Sequence, residues 1–160
     1  MGGRWSQGIS CDPQGVCSGT DFPLTPGRGY FIKAREDQEV TLPGYQIISP
    51  VPIPFSSGWN LVGVHGYSKV YSARSFIESI NKLIGLTADN VSWWSSSVSR
   101  YEGLQVTDGI QYGVDFPINS SSGYFVRISD FQPSSDECRS IIWNEGGDLN
   151  GDCGHSKSIF

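Results

Sequence analysis

Large apolar and small residues alternate over residues 58–64, which read Gly-Trp-Asn-Leu-Val-Gly-Val. This alternation predicts a buried β-strand, because successive side chains of a strand point to opposite faces. Shorter apolar runs, bounded by Gly, Pro, Asn or Ser, predict further strands. These lie at residues 29–34, 40–42, 45–49, 91–95, 99–107 and 123–127.

Apolar residues between positions 72 and 86 recur at helical spacing. They fall on one face of a predicted amphipathic helix and are Phe76, Ile77, Ile80, Leu83 and Ile84. Ser72 or Ser75 can cap the start of this helix, and Gly85 can end it. We expect the apolar stripe to cover one face of a sheet. The predicted fold class is therefore mixed and mainly β (α+β), with short antiparallel strands and one helix.

The chain contains two similar segments, 21–33 and 115–127. In each, Asp-Phe-Pro precedes a turn, and the turn precedes Gly-Tyr-Phe, an aliphatic residue and a basic residue. The spacing between equivalent positions stays constant throughout, so we predict a tandem repeat of a strand-loop-strand unit.

The alternating prolines Pro50, Pro52 and Pro54 predict an extended linker or a sheet edge, because proline cannot donate to a strand ladder. We therefore expect a boundary here and four regions along the chain. These are residues 1–49 with the first of the two similar segments, a Pro-rich linker at 50–57, residues 58–130 with the second segment, and a Cys-bearing tail at 131–160.

The formal charge of −5 is that of an acidic chain, and its basic residues are scattered. The sequence therefore lacks the basic patch that nucleic-acid binding requires, and we expect no nucleic-acid partner. No apolar run approaches the roughly 18 residues that a membrane helix needs, so no membrane span is predicted in this chain.

The four cysteines form two local pairs, Cys11 with Cys17 and Cys138 with Cys153. Local pairing closes the shortest loops, although sequence alone does not establish disulfide connectivity. An even number of cysteines in a Ser- and Gly-rich acidic chain favours an oxidising, extracellular location. Four free thiols in a cytosolic protein are the alternative.

Several motifs follow one another in a recognisable order: residues 58–64, the helix, Trp93 and Trp94, Tyr101 and residues 115–127. This order resembles a repeated module of large secreted and surface-anchored bacterial proteins. That module reads GWNLVG at its start and GYFVK at its end, and the resemblance implies a complete module at 58–130 and the closing half of a repeat module at 1–49. The resemblance implies an extracellular stalk or binding unit, and it carries over no catalytic residues.

The segment from Gly147 to Asp152 is similar to the opening of a dockerin calcium loop. The resemblance implies that Asp148, Asn150 and Asp152 converge on one calcium ion, because oxygen ligands alternate in such loops. Cys153 stands where the loop needs Gly, and Ile159 stands where it needs an acidic residue. An Asn/Asp/Gly turn closed by a disulfide is therefore the alternative. A chain that begins inside a repeat and ends inside such a loop predicts a fragment of a longer protein.

Several aromatic residues offer flat rings that suit the stacking of sugars: Trp59, Trp93, Trp94, Tyr101 and Tyr112. We expect Trp59 to be in the core, because it lies in a predicted buried strand. Strand alternation sends one of Trp93 and Trp94 inward and the other outward. The candidate binding residues are therefore Trp93, Trp94 and Tyr101.

The His65-Gly66 pair is similar to the oxyanion turn of α/β hydrolases, but the sequence has no Gly-x-Ser-x-Gly elbow to supply a nucleophile. A small hydrolase is therefore the third hypothesis. The leading hypothesis is a non-enzymatic structural or interaction module whose partners are copies of itself or neighbouring surface proteins. A carbohydrate-binding module with a polysaccharide partner is the second.

Overall fold

The structure is a computed structural model, and it describes residues 8–36, 39, 41, 49–65, 70–135 and 138–145. These residues form a mainly β fold with one helix, as the sequence predicts. In chain order the elements are β1 Ile9–Cys11, β2 Cys17–Gly19, β3 Pro52–Phe55, β4 Gly58–Gly63, β5 Tyr71–Ser72, α1 Ala73–Ile80, β6 Leu86–Ser95, β7 Arg100–Thr107, β8 Ile110–Gly113, β9 Pro117–Ile118, β10 Gly123–Phe131 and β11 Ile141–Asn144.

A five-stranded antiparallel sheet with the order β4-β10-β6-β7-β8 is the main element of the fold. A tight turn joins β7 to β8, with Asp108 at φ 52° and Gly109 at φ 76°. Two successive positive φ angles are typical of the hairpin turns that match strand twist. The edge strands of this sheet are β4 and β8.

One face of this sheet, the inner face, is covered by α1. Alternate strand residues point to that face and are buried, including Val62, Val91, Leu104, Tyr124 and Val126. They share one hydrophobic core with the buried side of the helix. The opposite face is called the outer face below.

The helix begins as the sequence predicts and ends earlier. Ser72 and Ser75 cap its start reciprocally, because the Ser75 N–H donates to the Ser72 hydroxyl at 3.3 Å and the Ser72 N–H donates to the Ser75 hydroxyl at 2.8 Å. The predicted continuation to residue 86 is wrong. The Asn81 side chain accepts the Ala88 N–H at 2.6 Å and donates to the Ala88 carbonyl at 3.0 Å. These two hydrogen bonds turn the chain back into β6. Ile84 is consequently 91% exposed.

Residues from the predicted linker and the predicted tail meet in a second, two-stranded sheet. Strand β3 pairs with β11, so Pro52 lies opposite Asn144. Ile53 and Phe55 are buried, whereas Pro52 and Pro54, which alternate with them, are exposed. Exposed prolines at alternate positions are compatible with this sheet because β3 is an edge strand. The division of the chain into four regions stays a prediction.

The N-terminal segment carries the predicted Cys11–Cys17 disulfide, which closes the β1–β2 hairpin. The strand predicted at residues 29–34 is wrong, because none of these residues is in a strand, and the backbone just before them forms an isolated bridge between Arg28 and Val62. Most of the strands predicted at 40–42 and 45–49 lies outside the described residues.

The two similar segments share part of their local geometry. The Tyr30 hydroxyl accepts the Thr25 N–H at 2.7 Å, and the Tyr124 hydroxyl accepts the Asn119 N–H at 2.7 Å. Beyond the tyrosines the segments diverge, because only the second continues as a long strand, β10. The tandem repeat is therefore not confirmed and stays a prediction.

Candidate functional site

The outer face of the five-stranded sheet carries the candidate site. Trp93 and Trp94 are neighbours in β6 and point to opposite faces. Trp93 packs against the core and lies 6.2 Å from the Phe116 ring, whereas Trp94 is on the outer face and 38% exposed. Only Trp94 of this pair is therefore placed to contact a partner from the outer face.

Four aromatic side chains form a chain of ring contacts on the outer face and are called the aromatic cluster: Phe31, Trp94, Tyr101 and Phe125. Trp94 and Tyr101 lie opposite each other on β6 and β7, with ring centroids 5.0 Å apart in an edge-to-face arrangement. The Tyr101 ring is 5.6 Å from Phe125 on β10. Edge-to-face contacts of this kind stabilise aromatic pairs. Although Tyr101 takes part in these contacts, it stays 53% exposed.

Phe31 reaches the aromatic cluster from the N-terminal segment. The Gly29 N–H donates to the Leu61 carbonyl at 3.1 Å, which fixes the segment to the side of β4. Phe31 then lies 6.2 Å from Trp94 and 6.3 Å from Phe125, measured between ring centroids. Residues far apart in sequence therefore build the aromatic cluster together.

A second group crosses the outer face beside the aromatic cluster and is called the polar row. It contains Trp59, Arg127, Asn90, Gln105 and Tyr112. Each is the direct pairing partner of the next, so β4, β10, β6, β7 and β8 contribute one residue each. Directly paired residues place their side chains on the same face of a sheet. The polar row therefore has an aromatic ring at each end and hydrogen-bonding groups between them.

Arg127 of the polar row forms an ion pair with Asp89. Asp89 lies at a register shift between β6 and β10 and accepts two hydrogen bonds from the Arg127 guanidinium, each of 2.7 Å. This hydrogen bonding raises the pKa of Arg127 above its usual value, so the guanidinium stays charged. The same guanidinium lies 5.9 Å from the centroid of the Trp59 ring, a cation–π contact. The ion pair therefore orients the exposed tryptophan.

The prediction that Trp59 lies in the core is wrong, because its side chain is 57% exposed on the outer face. Alternation does place Trp59 and Val62 on opposite faces of β4, but only Val62 of the two faces the hydrophobic core. Tyr112 is among the aromatic candidates in the sequence, but no local pattern groups it with Arg127, Asp89 or the amides beside them. Their positions in strands were visible, whereas their alignment depends on pairing register.

His65 lines a shallow pocket of about 180 Å³. Backbone and small side chains form most of its wall, which consists of Gly27, Arg28, Val51, Gly63, Val64, His65 and Ser120. Residues 66–69, which follow His65, are outside the described part of the chain. The hydrolase hypothesis stays untested by this geometry.

The predicted calcium ligands Asp148, Asn150 and Asp152 lie outside the described residues. Among the residues that are described, no group of three or more His, Cys, Asp or Glu side chains could hold a metal ion. Cys138 is disulfide-bonded, and its predicted partner Cys153 is also outside the described part.

No helix within the described ranges combines the length and the apolar character that a membrane crossing requires. No protein-family model, curated protein or solved structure matches this chain. The resemblance to the bacterial surface module stays a prediction, and the outer face is the basis for a functional proposal.

Proposed function

We propose that this chain is a non-enzymatic interaction module of a secreted or surface protein, and that it contacts its partner through the outer face. The aromatic cluster is the observation that carries this proposal. Aromatic side chains are enriched at the centres of protein interfaces, where they combine large contact area with few rotatable bonds. An exposed aromatic group on one face of a sheet marks a contact surface.

The inner face of the sheet is buried under α1 whereas the outer face is exposed, and this difference supports the proposal. The inner face packs against α1, and residues such as Val91 and Leu104 are fully buried there. On the outer face Trp59, Tyr101 and Tyr112 are each more than half exposed. Large rings left in water contribute little to the free energy of folding, because that energy comes from apolar area removed from water. Contact with a partner gives these rings a role.

The disulfides support an extracellular location for the module. Cys11 is bonded to Cys17, and Cys138 is also disulfide-bonded. Such bonds form and persist in oxidising compartments. The β1–β2 hairpin depends on its bond in particular, because all residues of these two strands are exposed and bury no apolar core. A reducing compartment would remove the main constraint on this hairpin.

Another copy of the chain is the partner that the N-terminal segment favours. Leu24 and Ile32 are exposed apolar residues on either side of the docked bridge at Arg28, and Ile32 follows a member of the aromatic cluster. An exposed apolar segment beside an aromatic group is a suitable surface for self-association. The shared tyrosine geometry of segments 21–33 and 115–127 is compatible with modules that pack in tandem.

The test is the solution mass by light scattering across a concentration series, with and without calcium. We expect mass to rise with concentration in the wild type and to stay monomeric in a Trp94→Ala/Tyr101→Ala double variant. Ile84→Ala is the matched control, because it removes an exposed apolar side chain from the turn after α1. Far-UV circular dichroism checks that each variant is folded.

Association that persists unchanged in the double variant would contradict a contact through the aromatic cluster. If the wild type stays monomeric and also binds none of the polysaccharides described below, the proposed function as a whole is wrong. Calcium-dependent association would support the predicted loop at Asp148, Asn150 and Asp152.

A further inference from the structure

The polar row has the dimensions and end groups of a platform for an elongated ligand. Trp59 is on the first strand of the sheet and Tyr112 on the last, with three strands between them. Four strand spacings separate these rings by about 19 Å. Both rings are more than half exposed, at 57% and 55%. A polymer lying across the strands can therefore contact both rings at once.

The groups between the two rings are suited to hydroxyl groups. Gln105 carries an amide, which both donates and accepts hydrogen bonds, and Arg127 and Asp89 add donors and acceptors, whereas the Asn90 Oδ1 is buried. A hydroxyl also donates and accepts, so a polyhydroxylated ligand can satisfy these groups in pairs. The ion pair keeps the Arg127 guanidinium against Trp59, which leaves less side-chain freedom to be lost on binding.

The charge of this surface discriminates between kinds of polysaccharide. The Arg127 charge is compensated by Asp89 at 2.7 Å, and the other members of the polar row are neutral. The row therefore presents no net positive charge to attract uronic acids or sulfates. The chain as a whole carries −5, which disfavours the approach of an anionic polymer. A neutral ligand is the complementary partner.

We infer that the polar row is a binding site for a neutral polysaccharide, an inference that rests on the outer face being the contact surface proposed above. The Trp59 and Tyr112 rings stack on sugar rings, and the side chains between them bind hydroxyl groups. The aromatic cluster is a separate part of the same face, so variants distinguish the two.

The test is native affinity electrophoresis in gels that contain hydroxyethyl cellulose, galactomannan or amylopectin as neutral polymers, or polygalacturonate as the acidic one. We expect at least one neutral polymer to retard the wild type and polygalacturonate to leave its mobility unchanged. Trp59→Ala and Tyr112→Ala should each weaken the apparent affinity about tenfold, since a lost stacking contact is worth about that factor. Trp59→Phe keeps a ring and should lose less.

Ile84→Ala is again the control and should match the wild type. Unchanged mobility of the wild type in every gel overturns the inference, as does full retardation of both alanine variants. Retardation mainly by polygalacturonate also overturns it. If polysaccharide binding is absent but self-association depends on Trp94 and Tyr101, the inference fails while the proposed function stands.

Discussion

Trp143 links the C-terminal strand β11 to the core, and its replacement by alanine tests that link. The side chain is only 1% exposed. Its ring lies 5.2 Å from Phe76 and 5.7 Å from Tyr71, and its Nε1–H donates to the Ser79 hydroxyl at 3.1 Å. The tryptophan therefore joins β11 to both β5 and α1.

Replacing a buried tryptophan with alanine removes its contacts and leaves a cavity, which costs about 3–5 kcal/mol. Loss of the hydrogen bond leaves the Ser79 hydroxyl without this partner and adds about 1 kcal/mol. A domain of this size is stable by about 5–15 kcal/mol, so Trp143→Ala removes a large part of the free energy of unfolding. Trp143→Phe keeps most of the ring and should cost about 1–2 kcal/mol.

The assay is guanidinium chloride unfolding followed by far-UV circular dichroism, with the free energy extrapolated to water. Trp59→Ala is the matched control, because it makes the same substitution at a side chain that is more than half exposed. We expect this control to cost about 1 kcal/mol or less. Equal losses at the two tryptophans would refute the conclusion that β11 belongs to the core.

Two further predictions concern the backbone and the ion pair. Gly85→Ala should lower the free energy of unfolding by about 2–4 kcal/mol, because Gly85 has φ +83° and an added Cβ would meet the Gln132 carbonyl. Gly58 has a similar φ of +86° but open space around it, so Gly58→Ala should lower that free energy by only about 1–2 kcal/mol. Equal losses in thermal or denaturant unfolding would contradict this. A double-mutant cycle of Arg127→Ala and Asp89→Ala should give a coupling of about 1 kcal/mol that falls at high salt, because Arg127 is partly exposed. A coupling of zero at low salt would show that the pair does not organise the polar row.

The sequence by itself determined the local features of this protein. Alternation placed β4 and β7 and separated Trp93 from Trp94, because side chains of a strand must point to opposite faces whatever the fold around them. The serine pair at 72 and 75 marked the start of α1, since a capping box satisfies backbone groups within one turn. The Cys11–Cys17 pair was also local, because few residues separate the two cysteines.

Only the tertiary structure decided which faces are covered and which residues stand side by side. Trp59 is exposed because the hydrophobic core packs on the other face of β4, and alternation carries no information about which face that is. The sequence predicts an extended linker or a sheet edge at residues 50–54 and a tail from residue 131, but it does not show that residues 52–55 and 141–144 pair with each other and bury Trp143. The polar row depends on strand order and on the register shift at Asp89. A slip of one residue would move its side chains to the other face, so long-range packing, rather than any local pattern, assembles this candidate site.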